Sequence, residues 1–207
     1  MTGTSRHGPL RRVSEQKSKS VPELADPRVE KTRAALTAAF VGLLSRRTYD
    51  RIRVSDIARK AGVGRATFYA RFSSKDGLLR SELDRVVLPM VVELQDEPFL
   101  VDCTMLFAHV QHARAIYRSL TAGTSRSLTE RIVQDSLEER VAAIFAERRT
   151  RGAIGAAAPA FAARFVASTL LTLIAWSLEQ AVSPAPAELQ QTFQALVGGA
   201  LGTGRNG

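Results

Sequence analysis

The sequence predicts an all-α fold of about nine helices, on three observations. Apolar residues recur every three to four positions through most of the 207-residue chain, as Val29, Leu36, Ala39, Phe40, Leu43 and Leu44 do in RVEKTRAALTAAFVGLLSRR. That is the spacing of one helix face. No stretch shows the apolar–polar alternation, bounded by turn residues, that marks a half-buried strand. Gly62, Pro98, Gly123, Gly152 and the SPAP at 183–186 punctuate the periodic stretches, as breakers between helices do.

The elements follow in order. Residues 1–27 are polar, carry Pro9, Pro22 and Pro27 with Arg6, Arg11, Arg12, Lys17 and Lys19, and read as a disordered basic arm. An amphipathic helix starts at Arg28, TYDRIR breaks it, and VSDIARKA forms a short second helix that Gly62 stops. RATFYARF is the third. SSKDGLLRSELDRVVLPMVVEL, FLVDCTMLFAHVQHARAIYRSL, SLTERIVQDSLEERVAAIFAERRTR, PAFAARFVASTLLTLIAWSLEQAV and APAELQQTFQALVGGAL carry the remaining helices, and GGALGTGRNG is expected to fray. This organisation predicts an arm over 1–27, a head over 28–80 and a helical body over 81–203.

Charge divides the chain in the same way. The formal net charge is +9, yet residues 1–80 hold 18 Lys and Arg against 7 Asp and Glu, and the rest hold 11 against 13. A basic head on a near-neutral body predicts a polyanionic partner for the head. A hydrophobic share of 45% reads as globular. The single Cys103 cannot form an internal disulfide and fits the cytoplasm. The first twenty residues lack the apolar stretch of a secretory signal. The most apolar run, Phe165 to Leu178 between Arg164 and Glu179, is too short to span a bilayer, so no membrane partner is expected.

The stretch DIARKAGVGRATFYARF, Asp56 to Phe72, reads as a helix-turn-helix. Ala58 is small where two helices cross, and Gly62 sits where a left-handed residue closes the first of them. Ile57, Ala61, Val63, Phe68 and Phe72 supply a small core. Arg65, Ala66, Thr67, Tyr69, Ala70 and Arg71 are left on the outer face of the second helix. Such a face suits a DNA major groove: Arg bonds guanine in bidentate fashion, Thr and Ala methyls touch thymine, and Thr and Tyr hydroxyls reach phosphate. In FSSKDGLL, Ser73 or Ser74 can cap the next helix, and Lys75 in its first turn can clamp a phosphate.

These residues, VSDIARKAGVGRATFYARFSSKDGLL behind an amphipathic helix, resemble the TetR family of bacterial transcription regulators over roughly Arg28 to Leu83. The resemblance implies a three-helix DNA-binding head, a ligand-sensing and dimerising helical body, and a palindromic double-stranded DNA operator. It places Thr67, Tyr69, Arg71 and Lys75 at DNA-contacting positions, with Arg65 and Ser55 beside them. One departure is Arg53, where the family usually has a capping Thr. Ser55 is expected to take over the cap, and Arg53 to bind phosphate by charge.

In the body, PAFAARFVASTLLTLIAWSLEQAV is apolar nearly all round, with Phe161, Phe165 and Trp176 on one side and Val166, Leu170, Leu173 and Ile174 on another. The chain's own core can cover one side and a partner subunit the other, so a homodimer through the last two helices is expected, with a central core helix of a monomer as the alternative. A small-molecule ligand cavity would lie among the middle helices, with Met105, Phe107, His109, His112, Tyr117, Phe145 and Trp176 as candidate walls; for each one an ordinary core residue is the better reading. Cys103, His109 and His112 do not complete a tetrahedral metal set. No G-x-S-x-G elbow, phosphate loop or H-E-x-x-H motif is present, and the G-x-G-x-x-G at 202–207 has neither a strand before it nor a helix after it. No cofactor, metal or enzymatic activity is expected. The expected function is that of a homodimeric DNA-binding repressor released by a ligand. A ligand-independent regulator or activator, and a helical enzyme or binding protein with an incidental basic arm, are the alternatives.

Overall fold

A computed structural model describes residues 27–94, 101–124, 126–150 and 159–201. The basic arm over 1–26, Arg6, Arg11 and Arg12 among it, the breakers Pro98 and Gly152, and the glycine-rich end over 202–207 lie outside the described residues. Nine α-helices are present among the described residues.

The first four make the head. α1 spans Pro27–Leu44, with proline at the first position, where its missing N–H is no loss. A 3-10 turn, Tyr49–Arg51, leads to α2 (Val54–Lys60), α3 (Arg65–Tyr69) and α4 (Lys75–Glu82). Leu36, Phe40, Leu43 and Leu44 of α1 bury against Ile57 of α2, Phe68 of α3 and Leu78 and Leu79 of α4 in one continuous core. Tyr49 and Phe40 meet edge to face at 6.2 Å, and Phe68 and Phe72 lie 5.8 Å apart.

α4 continues through a π turn, Leu83–Val87, and a 3-10 turn, Leu88–Met90. Pro89 accounts for the stop: it has no N–H to donate and its ring crowds the carbonyl four residues earlier. The wholly helical expectation then meets one exception. Val92–Glu93 and Val101–Asp102 pair as a two-stranded antiparallel ribbon, too short to show any alternation in sequence.

The body comprises α5 (Thr104–His112), α6 (Arg114–Thr121), α7 (Arg126–Thr150), α8 (Pro159–Glu179) and α9 (Pro186–Leu201). α5 and α6 read as one run in sequence and break at Ala113. α8 packs along α7 and α9, burying Ala162, Val166, Leu170, Leu173 and Ile174. The buried amide of Gln190 ties α9 to the ribbon: it accepts from the Cys103 N–H at 2.9 Å and donates to the Val101 carbonyl at 2.9 Å. The length expected for the apolar run needs correcting. α8 begins at Pro159 and reaches 21 residues, long and apolar enough to cross a membrane by length and composition alone. Half of that window is buried inside the fold, as in a core helix.

Head and body meet through specific bonds. Ser119 of α6 donates to the Arg47 carbonyl at 2.6 Å, and Thr124 donates to the Asp50 carboxylate at 3.2 Å. Arg80 of α4 pairs with Glu139 of α7.

Candidate nucleic-acid interface

The turn between α2 and α3 is built by its backbone. Ala61 caps α2, and Gly62 follows with φ +70°, the left-handed conformation that glycine adopts without Cβ strain. The Gly62 N–H then donates to the Arg59 carbonyl at 3.2 Å and the Val63 N–H to the Ala58 carbonyl at 3.0 Å, the paired bonds of a Schellman ending. Ala58 is buried as expected. Ile57, Phe68 and Phe72 are buried, with Ala61 and Val63 packed against them.

That burial sets the outward face of α3. With Phe68 fully buried, Arg65, Ala66, Tyr69, Ala70 and Arg71 are exposed and Thr67 is half-buried. Tyr69 leaves 48% of its surface open even though its ring lies edge-on to Phe68 at 5.5 Å. The phenol tip and two guanidinium groups are thus free to reach a groove.

Two expectations change. Ser55 is not the cap of α2. Arg53 holds the cap position without a side-chain bond, and Ser55 stands inside the first turn. The end is closed from within by Asp56, whose carboxylate accepts from the Arg53 N–H at 3.1 Å and from Arg59 at 2.7 Å. That backbone bond, with Arg59, Arg47 and Arg53 around it, holds the Asp56 carboxyl below the usual range. A carboxylate there also suits the positive end of the helix. It serves the cap N–H, whereas a Thr at the position of Arg53 would accept from the first-turn N–H groups.

Lys75 also differs from the expected phosphate clamp. Its ammonium turns inward, donating to the carbonyls of Tyr49 at 2.7 Å and Ile52 at 2.9 Å, and lies 3.9 Å from the centre of the Tyr49 ring. Burial lowers its proton affinity. Two of its three donors already serve the head itself. Of the two candidate caps, Ser74 is the one used, accepting from the Gly77 N–H at 3.0 Å. The Tyr49 hydroxyl donates to Asp76 beside it.

One cation escaped the sequence reading. Arg33 of α1 donates to Ser81 of α4 at 2.9 Å, and its Nε has no partner among the described residues. It lines an open cleft with Arg71, Ser73 and Gly77. Arg33 and Arg71 stand 38 positions apart in the sequence, so periodicity assigned Arg33 only to an amphipathic helix.

The ligand candidates separate. Met105 is 66% exposed and Trp176 is 45% exposed on the outside of α8, while Phe107 and Phe145 are packed core side chains. His112 is exposed at the end of α5, and Cys103 is buried, its thiol pushed up by desolvation. Only His109 and Tyr117 of the set line a common cavity, of about 190 Å³, between α1, α4, α5 and α6. A second, of about 50 Å³, lies deeper, against α7 and α8.

Known proteins agree with this geometry. Residues 36–81 match the family model described as bacterial regulatory proteins, tetR family. An uncharacterized HTH-type transcriptional regulator of Bacillus subtilis, YxbF, is 43% identical over 61 residues, 29% of this chain and 16% of that protein. The HTH-type regulator EthR of Mycobacterium tuberculosis is 39% identical over 71 residues, 34% of this chain and 33% of its own. The chain thus spans a third or less of these curated relatives. Solved folds extend further. A TetR regulator from Streptococcus agalactiae has a TM-score of 0.55 at 24% identity, covering 82% of this chain and 95% of its own. RolR in complex with resorcinol has a TM-score of 0.53 at 20% identity, covering 86% and 90%. The dihydroxyacetone kinase operon activator DhaS has a TM-score of 0.56 at 16% identity, covering 83% and 96%. With the helix-turn-helix in the matched segment and the helical frame shared along most of the chain, residues 36–81 form a head of the tetR type, carried on a body with the fold of solved TetR regulators.

Proposed function

We propose that the protein is a homodimeric repressor that binds a near-palindromic operator and is released by a small ligand. The observation that carries the DNA reading is the face of α3, where Arg65, Tyr69 and Arg71 stand exposed around the buried Phe68. In this reading Arg65 and Arg71 bond base edges or phosphates, Tyr69 and Thr67 reach phosphate, and Ala66 and Ala70 allow close approach to thymine methyls. Arg53 and Ser55, at the start of α2, sit against the backbone. Lys75 contributes through the head it holds together more than by direct contact. Arg33 and Arg71, which line one cleft, add positive charge for a second phosphate.

The outer stripes of the last two helices support the dimer. Phe161, Trp176 and Leu196 are 65%, 45% and 50% exposed there, apolar surface that a second copy would cover. Two-fold symmetry would set the two recognition helices about 34–36 Å apart, one turn of DNA. Release works by population shift, the ligand binding better to a conformation whose heads miss that spacing. RolR, whose fold the chain shares, has a complex with resorcinol. DhaS, another shared fold, is described as an activator, and so favours activation as the second reading.

The test is a nuclease footprint of the full chain on DNA flanking its own coding region, titrated with salt. A protected near-palindrome that outlasts nonspecific binding is expected, and Tyr69→Ala should erase it. Protection that is uniform and disappears with salt would mean that the head reads phosphate alone. Deleting residues 1–25 should flatten the salt dependence, since the arm carries Arg6, Arg11 and Arg12; an unchanged slope would remove the arm from the interface.

A further inference from the structure

The larger cavity has a composition that its position in the fold does not require. Its walls are mostly apolar, Phe40 and Leu44 of α1 and Leu83 and Val87 beyond α4 among them. The charged pair at its edge is already neutralised: Glu82 accepts from Arg85 at 2.6 Å and from Thr37 at 2.8 Å. Two polar rings remain, His109 and Tyr117, edge to face at 5.9 Å. Neither the Tyr117 hydroxyl nor the His109 imidazole makes a hydrogen bond to any described residue. Both groups are only half-buried, so water serves their polar atoms in the free protein. Two such groups, adjacent and facing an apolar space, leave room for a partner from outside.

Size and charge narrow what that partner is. The deeper cavity, about 50 Å³, shares Leu83, Val87, Tyr117 and Leu120 with the larger one but is too small for a ring. About 190 Å³ is ample: a cavity of roughly 150 Å³ holds benzene. Burial lowers the His109 pKa and raises that of Tyr117, so for both rings the uncharged form is favoured. Neither offers a counter-charge to an ionic guest, whose desolvation the apolar walls would not repay.

We propose that this seam between head and body is a binding site for an uncharged, ring-sized, largely apolar molecule with one hydrogen-bonding oxygen, which pairs with Tyr117 and His109. The guest would touch α1 of the head and α5 and α6 of the body at once. Occupying the seam would therefore bias the angle of the head directly. That consequence rests on the DNA-binding reading above; the binding itself does not.

The experiment is calorimetry of the full chain with phenol, with toluene as the ring without a hydroxyl, and with benzoate as the charged ring. Phenol is expected to bind about tenfold more tightly than toluene, the worth of one hydrogen bond, and benzoate not measurably. Tyr117→Phe should lower phenol affinity about tenfold and leave toluene unchanged. Val41→Phe, at the partly exposed rim of the seam, should abolish binding of both; Ala175→Leu, at a residue that lines the deeper cavity and not the seam, should leave it intact. Should Val41→Phe not fold, the phenol-to-toluene ratio in Tyr117→Phe decides alone. No binding by any probe, benzoate binding as well as phenol, or binding lost in Ala175→Leu and kept in Val41→Phe would overturn the site. The footprint is read without any ligand, so a failed operator and a failed seam are told apart.

Discussion

At the scale of single residues, neighbouring cations of the head divide into two kinds, and burial tells them apart. Arg71 is exposed, and its side chain makes no hydrogen bond or ion pair to the described residues of the head. Arg71→Ala is therefore expected to change unfolding stability by less than about 0.5 kcal/mol while lowering operator affinity, as urea melts and DNA titrations would show. Lys75 is tied to the carbonyls of Tyr49 and Ile52. Lys75→Met should destabilise the chain by about 1–3 kcal/mol, because two partly buried acceptors lose a charged donor. A Lys75→Met chain that melts like the parent would return Lys75 to the direct contacts. Sequence alone placed both residues in one class, since type and spacing carry the family frame but not the direction of a flexible four-carbon stem. The cap of α2 repeats the lesson. Ser55 was the plausible capping type, yet the helix starts two residues earlier and Asp56 closes it.

At the scale of elements, the two left-handed glycines differ in what surrounds them. A Cβ on Gly62 would meet nothing within 4 Å, so Gly62→Ala bears only the backbone strain, about 1–2 kcal/mol. Gly123, at φ +83° between α6 and α7, would place its Cβ 2.8 Å from the Asp50 carboxylate. Thr48 and Thr124 hold that carboxylate in place. Gly123→Ala should therefore lower the melting temperature further than Gly62→Ala; equal shifts would show that the loop yields freely. The end of α8 invites a third measurement. Arg114 donates to the Leu178 carbonyl at 2.6 Å and to Ser183 at 2.7 Å, and Arg118 reaches the same carbonyl at 2.7 Å. These cations cover carbonyls that a helix C-terminus leaves unpaired. Arg114→Ala should cost about 2 kcal/mol and raise amide exchange over 176–180, whereas exchange confined to other helices would locate the loss elsewhere. The sequence showed the helix and its stop at SPAP. It did not show that α6, sixty residues earlier, supplies the cap.

At the scale of the whole molecule, the two sides of α8 are the clearest case of a pattern legible in sequence whose use depends on assembly. Val166, Leu170, Leu173 and Ile174 are buried within the chain, while Phe161 and Trp176 are exposed. The double substitution Trp176→Glu with Leu196→Glu should convert a dimer into monomers in sedimentation and weaken operator binding, because each head alone makes half the contacts. A parent chain that sediments as a monomer would leave those apolar side chains to another partner.

By itself the sequence determined the helical class, the helix-turn-helix over Asp56–Phe72 and its Gly62 turn, and the outward set on α3. All of these depend on residues within a few turns of one another, where periodicity and backbone preference decide the outcome. Tertiary structure alone decided the rest: Lys75 folded inward, Arg33 placed beside Arg71, Met105 and Trp176 exposed and away from the seam, and His109 with Tyr117 at that seam between head and body. Those outcomes depend on side chains brought together across long loops, and the helical period along one chain holds no record of which helix will face it across a gap.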